Sequence, residues 1–498
     1  MPHLTRSLDD VAEALIDRAR DAQQMWGALA VEDRVHALAD LPRVLADNLD
    51  RISDVIHREN GKSTAEAVAH EAAPAVAVAR HHLDQALAVL GDQRIRLPNL
   101  PHRTAVRHHR PYGVVVTIAP WNFPFLIPFS QVLPSLLAGN AVILKPSELS
   151  PECGRLLVDL VHEVGLPQDL LQVAVGDGAL GAALVEARPD KVLFTGSVAT
   201  GRQVMAAASR HPIPVGLELG GVDALVVRAD ADLEFTASAI AWGATFNGGQ
   251  ACCSVERLLV HESIADRLRA RVTDKLRRID TRHDLGPAID ARQLATWQRH
   301  VDAAAAAGLE VDGGRPLSDR RFEPTLVTGE AVTTSVVWNE ETFGPVVAMT
   351  TFDSDEAAVT LHNATRYGLT ASVFSADVAA AQRMARRLNA GSVAVNEVAA
   401  TMYSSPELPW GGVGESGFGR SHGTDALLDA AWVQVVESPR GPAFGPKRPW
   451  WYPYGFELEG AMKDVGRSFA APTTPQRLTS LARAAGQLLP MLTRQRKL

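Results

Sequence analysis

Cysteine is scarce in this sequence. Only Cys153, Cys252 and Cys253 occur among its 498 residues, and two of them are neighbours in the chain. A disulfide between adjacent cysteines would be strained and is rare, so the sequence excludes a scaffold held together by crosslinks. This cysteine usage is typical of a reducing compartment, and we expect a cytoplasmic protein.

The chain also lacks an excess of positive charge and any long uninterrupted apolar run. It has 49 lysines and arginines against 57 acidic residues, a formal net charge of -8, which disfavours nucleic acid as a partner. The most apolar stretch, 123–139, is interrupted by prolines and is shorter than the roughly 20 residues of a membrane-spanning helix. We interpret it as a buried loop and core helix. The first residues lack the apolar segment of a secretory signal, so we expect no export.

What the sequence does contain is apolar material, 46% of its residues, enough for two or three domains with cores. Residues 8–90 carry helical periodicity. After them, apolar strand-like runs alternate with helical runs, which predicts an α/β fold with doubly wound sheets whose parallel strands are covered on both faces. We predict one domain over residues 1–93 and 112–219 and a second over 220–428.

Two short segments and a tail stand apart from this alternation. Residues 94–111 resemble a protruding hairpin, because Pro and Asn separate two extended pieces, and 429–440 contain the late strand WVQVVES. Residues 441–498 form a tail that ends in a basic helix with leucines at helical spacing. Such a helix could lie on an anionic membrane surface or dock onto its own subunit or a partner, and we favour docking.

Three segments carry residues with chemical potential. Cys252 follows small residues in FNGGQACCS, where a substrate can approach sulfur closely. Glu218 ends a strand pattern in LELGG, where a carboxylate could activate water, and Asn122 in APWNFPF could donate its amide to an oxyanion. Each residue also has an ordinary explanation: an inert core cysteine, a salt-bridged glutamate, and an asparagine in a Pro-rich turn.

Seven motifs taken together are more specific. PWNFP, ILKPSE, FTGS, LELGG, GQAC, EETFGPV and PWGGVGESGFGR occur in the order and at about the spacing of the aldehyde dehydrogenase superfamily, which this chain resembles over residues 110–420. Independent chance matches rarely share both sequence and spacing. The resemblance implies an aldehyde dehydrogenase-like fold with a Rossmann-type NAD-binding domain before residue 220 and a catalytic α/β domain after it. It also implies that 94–111 and 429–440 are oligomerisation elements.

The resemblance assigns catalytic roles to three residues. Cys252 is similar to the family's nucleophile, and Cys253 is then a neighbour without a catalytic role. The Asn122 amide and the Cys252 backbone N–H are similar to the groups that bind the oxyanion, and Glu218 is similar to the base that activates water. Because the thiolate is the reactive form, we expect the site to lower the pKa of Cys252. Relatives that transfer the acyl group to coenzyme A generally lack this carboxylate, so Glu218 favours release of a free acid.

The same resemblance implies a dinucleotide cofactor, and no metal site is predicted. The residues similar to the family's cofactor ligands are Trp121, Lys145, Glu148, Gly196, Ser197, Glu341 and Phe343. A carboxylate at Glu148 would accept from a free 2'-hydroxyl and repel a 2'-phosphate, so we favour NAD, with NADP as the alternative. The usual GxGxxG fingerprint is absent, as in this superfamily, where FTGSVATG has the related role.

One departure from the family lies next to the proposed base. After LELGG the family commonly has Lys and, two residues later, Pro, whereas this chain has Val222, Asp223 and Ala224. The loss of this positive charge changes the electrostatic surroundings of the site, but we still expect activity.

The residues similar to those that line the family's aldehyde tunnel are apolar to aromatic, and they include Phe123, Ile127, Cys253, Tyr403 and Trp410. This set has no lysine or arginine to pair with a substrate carboxylate, which favours an aliphatic or aromatic aldehyde. The alternative is a succinate-semialdehyde dehydrogenase, since SVERLLV and the loop before PWGG resemble some bacterial examples. A short N-terminal part and a long C-terminal tail resemble instead the fatty and aromatic aldehyde dehydrogenases.

Two further expectations concern function class and assembly. A non-enzymatic protein on the same scaffold is the rival from another class, and the presence of Cys252, Glu218 and Asn122 together disfavours it. By resemblance we expect a homo-oligomer, either a dimer or a tetramer.

Overall fold

The computed structural model describes residues 7–98, 100, 102–441, 451, 454 and 456–494. Internal contacts divide the chain into two compact units. The first comprises the residues up to Asp92 together with His108–Gln434, and the second comprises Gln93–Arg107 together with the residues from Val435 onward. Every candidate site residue lies in the first unit. The finer domain boundaries at residues 219 and 428 remain a prediction.

Helices form the N-terminal layer of the first unit and cover its sheets. In chain order the helices are α1 (Leu8–Ala28), α2 (Val31–Ala37), α3 (Leu41–Asp47), α4 (Leu49–Asn60), α5 (Thr64–Ala67), α6 (Ala73–Leu90), α7 (Leu126–Ala138), α8 (Pro151–His162), α9 (Gly178–Glu186), α10 (Val198–Ala208), α11 (Leu233–Thr245), α12 (Ala265–Arg278), α13 (Ala291–Ala306), α14 (Val336–Asn339), α15 (Asp355–Asn363), α16 (Val378–Ala385), α17 (Gly423–Asp429), α18 (Phe456–Ala470) and α19 (Thr474–Arg494). A π-helical turn, Val68–Ala72, joins α5 to α6. The predicted helical layer over 8–90 is confirmed, and α7 is buried along its whole length, as expected.

The strands follow the apolar runs of the sequence. They are β1 (Gln93–Ile95), β2 (Arg103–Pro111), β3 (Val114–Ile118), β4 (Ala141–Lys145), β5 (Leu171–Val173), β6 (Lys191–Gly196), β7 (Val215–Leu219), β8 (Asp223–Val227), β9 (Val255–His261), β10 (Glu310–Asp312), β11 (Thr325–Thr328), β12 (Val346–Phe352), β13 (Thr370–Phe374), β14 (Ser392–Val395), β15 (Gly417–Phe418) and β16 (Ala431–Pro439). Every residue of β3, β4, β8 and β13 is buried, which explains why these strands are apolar without alternation.

Two largely parallel sheets form the body of the first unit, as predicted. One has the order β15-β7-β6-β3-β4-β5, in which only the short β15 is antiparallel to its neighbour. The other has the order β10-β11-β12-β9-β8-β13-β14, with an antiparallel pair at the β10 edge. β10, β11 and β15 were not predicted from the sequence. Ligands of such sheets bind beyond the carboxyl ends of the strands.

The second unit contains β1 and helices α18 and α19. β1 and β2 pair antiparallel, with Gln93 opposite Arg107 and Ile95 opposite Ala105, which forms the hairpin expected for 94–111. β16 pairs along the other side of β2, in the order β1-β2-β16. The oligomerisation role of these strands remains a prediction. Among the helices in the described part of the chain, none is long and apolar enough to cross a membrane.

Candidate active site

The loop that carries Cys252 is a tight left-handed turn. α11 ends at Thr245, and Asn247, Gly248 and Gly249 then have φ values of 53°, 65° and 71°. L-residues rarely adopt this conformation, which explains the glycines. A Cβ on Gly249 would also overlap the backbone of Gly344, so this glycine lets two site loops pack together.

Asn122 lies beyond the carboxyl end of β3 and is 4% exposed. Its Nδ2 donates to the backbone O of Gln250 at 3.1 Å, which ties the amide to the Cys252 loop. Asn247 Nδ2 donates to the same oxygen at 2.9 Å. An NH2 group has two hydrogens, so one remains to bind a developing negative charge.

Glu218 lies on β7, paired with Thr195 of β6 and with Gly417 of β15. Burial raises its pKa well above the usual range, the nearby Arg420 opposes this effect, and Asp429 adds to it. A glutamate with a raised pKa is a stronger base once it is ionised, which suits a group that takes a proton from water.

One cavity of about 270 Å³ brings most of the predicted residues together. Its walls contain the three candidate catalytic residues and five of the seven candidate cofactor residues; the lining consists of Pro120, Trp121, Asn122, Ile127, Thr195, Gly196, Ser197, Glu218, Leu219, Gly220, Cys252, Gln293, Thr296, Glu341, Thr342 and Phe343. Residues separated by more than 200 positions in the sequence therefore face the same space. Gln293 and Thr296 were not predicted, and the sequence around them has no motif that would have indicated them.

The expected lowering of the Cys252 pKa was wrong for this structure. A hydrogen bond with the Cys253 side chain and burial raise the pKa of the Cys252 thiol well above its usual range, and the carboxyl groups of Asp223 and Glu218 add to the effect. Both carboxylates disfavour a second negative charge on sulfur.

Asp223 itself is fully enclosed. Its carboxylate accepts from the Thr370 N–H at 3.0 Å and from Thr370 Oγ1 at 2.5 Å, and burial raises its pKa to about 7. The neighbouring Arg257 donates to the Val222 backbone O at 2.8 Å. These contacts keep residues 222–223 in place at the start of β8.

Phe343 is held in a strained conformation at the edge of the cavity, with φ 52°. The Glu256 carboxylate accepts from the N–H groups of Thr342 at 2.9 Å and Phe343 at 2.7 Å, and Trp297 Nε1 donates to Phe343 O at 2.9 Å. The Phe343 ring packs edge-on to that of Trp121, with centroids 5.5 Å apart. Glu256 was not predicted from the sequence, although a glutamate within the apolar strand VERLLVH was a signal for it.

Lys145 and Glu148 lie at the carboxyl end of β4 and outside the lining of this cavity. Lys145 Nζ is 3.8 Å from Glu148 Oε2 and donates to Pro146 O at 3.1 Å. Burial lowers the pKa of Lys145, whereas the Glu148 side chain is 52% exposed. The two groups are therefore adjacent, with the carboxylate available to a ligand from solvent.

A second, smaller cavity of about 30 Å³ adjoins Cys252 and contains all five predicted tunnel residues. Its lining consists of His70, Phe123, Ile127, Trp242, Phe246, Cys252, Cys253, Ala400, Tyr403, Ser404 and Trp410. His70, Trp242 and Phe246 were not predicted. The rings of Trp242 and Phe246 stack with centroids 4.8 Å apart, and those of Tyr403 and Trp410 meet edge-on at 5.0 Å. Among these lining residues there is no lysine or arginine.

This chain is similar to known proteins in both sequence and fold. The chain matches the aldehyde dehydrogenase family over residues 3–436. It is 39% identical over 467 residues to 4,4'-diapolycopene aldehyde oxidase of a Methylomonas species, covering 91% of this chain and 86% of that protein. It is 37% identical over 445 residues to a protein of Mycolicibacterium smegmatis named "Putative succinate-semialdehyde dehydrogenase (NADP+)", covering 87% and 85%.

A solved structure agrees with these matches. A point mutant of betaine aldehyde dehydrogenase from Staphylococcus aureus, in complex with NAD+, has a TM-score of 0.83 and 29% identity, covering 88% of this chain and 91% of that one. The fold and cavity described above are therefore those of a cofactor-dependent α/β oxidoreductase. The chain belongs to the aldehyde dehydrogenase family, and it oxidises aldehydes to carboxylic acids.

Proposed function

We propose that the chain oxidises an apolar aldehyde to the free acid through a thioester on Cys252, with NAD(P) as the oxidant. The observation that carries this proposal is that a thiol, an amide and a carboxylate from distant parts of the sequence line one cavity. The thiol supplies a nucleophile, the amide a donor to an oxyanion, and the carboxylate a base.

The residues in this cavity and at the carboxyl end of β4 would together hold a dinucleotide. Ser197 is the N-cap of α10, accepts from Thr200 N–H at 3.2 Å, and leaves the first turn of the helix open for a phosphate. Gly201 allows α10 to pack on Leu219, where a Cβ would overlap that side chain. Glu341 and Phe343 would hold the nicotinamide end, and Lys145 and Glu148 the adenosine ribose. NAD(P), when bound, accepts the hydride that leaves the substrate carbon.

The residues of this chain would perform the remaining steps. The Cys252 thiolate attacks the carbonyl carbon and forms a C–S bond, while the Asn122 amide and the Cys252 N–H bind the resulting oxyanion. After oxidation the substrate is a thioester. Glu218 then removes a proton from water as the water oxygen attacks this carbon, the C–S bond breaks, and the sulfur leaves as thiolate with the acid released.

The apolar cavity next to Cys252 supports the substrate class, and an aldehyde panel with NAD and NADP tests it. We expect kcat/KM to be at least about 10-fold higher for straight-chain and aromatic aldehydes than for succinate semialdehyde, because no cation in the lining offsets the cost of burying a carboxylate. The 37% identity to the Mycolicibacterium protein supports the opposite order. A higher kcat/KM for succinate semialdehyde would overturn the proposed substrate class.

Replacing Glu148 by alanine should shift cofactor choice toward NADP. The exposed carboxylate 3.8 Å from Lys145 would repel a 2'-phosphate, so its removal leaves the lysine to attract that group. We expect kcat/KM for NADP to rise relative to NAD by about 10-fold, or about 1.4 kcal/mol. Glu152→Ala, which removes a nearby exposed carboxylate, is the matched control. An unchanged ratio in Glu148→Ala would contradict the assigned role.

We also propose that the chain forms a homo-oligomer, dimer or tetramer, through the elements that the resemblance indicated. β16 exposes four large apolar side chains: Trp432, Val433, Val435 and Val436. Exposed apolar edge strands in proteins usually pair with another strand. The function of the tail, and its docking in preference to membrane contact, remain proposals of the same kind.

A further inference from the structure

We propose that the buried ion pair between Lys62 and Glu71 is a positioning pair for the amide of Asn122. This inference rests on the proposed function, in which Asn122 binds the oxyanion. Lys62 Nζ lies 2.7 Å from Glu71 Oε1, and neither side chain has exposed surface. The desolvation of two buried charges can exceed their attraction, so an ion pair of this kind is a poor device for stability alone. Its hydrogen bonds indicate what it does instead.

The lysine holds the main chain of Asn122. Lys62 Nζ donates to the Asn122 backbone O at 2.8 Å, and Asn247 Nδ2 donates to the same oxygen at 3.0 Å. A hydrogen bond from a charged donor is roughly twice as strong as a neutral one. The ammonium also lies 4.2 Å from the ring centroid of Phe123, the next residue and a member of the apolar cavity.

The glutamate holds the other end of the same segment. Glu71 Oε2 accepts from the N–H of Phe125 at 2.8 Å and of Leu126 at 3.2 Å, at the start of α7. Phe125 is the N-cap of α7 and supplies no side-chain cap, so Glu71 satisfies these donors from a distant part of the chain. One ion pair therefore fixes residues 122–126 at both ends.

Lys62 lies in the loop between α4 and α5, Glu71 lies in a helical turn, and neither residue lines the cofactor cavity. Glu71 lies in the π-helical turn Val68–Ala72, and such turns often occur at functional sites. Lys62 follows Gly61, which ends α4 with φ 83°, and its own carbonyl bonds His57 Nδ1 at 2.7 Å. Neither charged group lines the cavity, so both act through the segment 122–126, which carries Asn122.

Double-mutant cycles that combine each member of the ion pair with Asn122 test the proposed positioning role. Lys62→Met and Glu71→Gln are made alone and in the Asn122→Ala background, and the single-turnover rate of cofactor reduction, the KM for NAD and the Tm are measured. We expect each single change to slow cofactor reduction by about 10- to 100-fold, because a small misplacement of a catalytic group costs this much, with little change in the KM for NAD. In Asn122→Ala the same changes should cause little further loss, because the amide they position is gone.

A control variant distinguishes a positioning role of Lys62 and Glu71 from a general effect on packing. Lys275→Met, which removes the 2.5 Å surface pair with Glu234, should leave the rate unchanged. Equal fold-losses with and without Asn122, or a normal rate in folded Glu71→Gln, would overturn the proposal. If Lys62→Met does not fold, the near-isosteric Glu71→Gln decides alone. A normal rate in Asn122→Ala itself would overturn the proposed oxyanion role, which is a separate failure.

Discussion

Replacing Cys252 by alanine is expected to abolish aldehyde-dependent cofactor reduction, with a loss of about 10⁴-fold or more in kcat. Without sulfur at this position no covalent adduct forms, so the carbonyl carbon remains an aldehyde, which in this unreacted state is a poor hydride donor. The measurement is steady-state reduction of NAD and of NADP with the best aldehyde of the panel. Cofactor binding, measured by fluorescence, should be retained, because the other residues that line the cavity are unchanged.

Cys253→Ala is the matched control for this prediction. Cys253 is 5% exposed, lines the apolar cavity and hydrogen-bonds the Cys252 thiol, so its loss should leave substantial turnover. The change removes the largest contribution to the raised pKa of Cys252, and the thiol should therefore react with iodoacetamide at lower pH than in the unmodified chain. Full activity in Cys252→Ala together with an inactive Cys253→Ala would assign the nucleophile to residue 253.

Replacing Glu218 by glutamine should separate the two halves of the reaction. Acylation of Cys252 needs no base at this position, so a rapid burst of cofactor reduction equal to about one turnover per site is expected. Hydrolysis then lacks the group that activates water, and the steady-state rate should fall by about 10²- to 10⁴-fold. Stopped-flow absorbance measures both phases, and mass spectrometry of the stalled protein should show the acyl group on the peptide that contains Cys252.

The pH dependence follows from the directions of the two pKa shifts. Burial raises the pKa of Glu218, so its ionised, basic form is lost already at a higher pH than for an ordinary glutamate. The raised pKa of Cys252 likewise restricts the thiolate to alkaline solution. Turnover should therefore increase as the pH rises through the pKa values of Glu218 and Cys252. Glu218→Gln should retain the alkaline rise of the burst, which depends on Cys252.

Two results would contradict the role of Glu218. One is an unchanged steady-state rate in Glu218→Gln near neutral pH. The other is the loss of the burst itself, which would place Glu218 in acylation instead of hydrolysis. Glu415→Gln is a suitable control, because this carboxylate lies a few residues before Gly417, the partner of Glu218, and pairs with Arg202 at 2.6 Å and Arg366 at 2.8 Å.

Much of the fold could be predicted from short-range patterns. Apolar runs such as VVVTI and AVILK are strands because both faces of the sheet are covered, and the structure buries every residue of them. β10, β11 and β15 were missed because they are short, and the residues before β11 carry polar and charged side chains. Pairing with a longer neighbour stabilises such strands, and a local pattern does not reveal the neighbour.

Some residues of the candidate site could be predicted from the sequence and others could not. Motifs that lie on strand ends or tight turns, such as the one containing Cys252, are recognisable because their glycines and reactive residues are contiguous. His70 and Trp242 reach the apolar cavity from a π-helical turn and from α11, and in the sequence they resemble ordinary helical residues. The expected pKa of Cys252 was wrong because the contact with the Cys253 side chain and burial raise it, with a smaller contribution from Asp223 and Glu218, and these surroundings are a property of the packed chain.

The sequence by itself determined the family and the alternation of strands and helices, and it supplied the candidate thiol, amide and carboxylate, because each of these features is contained in contiguous residues or in local periodicity. Only the tertiary structure decided that these three groups share one cavity. It also decided that Asp223 lies near enough to Cys252 to raise the pKa of its thiol, and that Lys62 pairs with Glu71 and bonds the backbone of Asn122. Such long-range contacts form because the two sheets and their helices bury separate apolar cores that bring distant segments together, and no local pattern specifies which buried polar groups then meet.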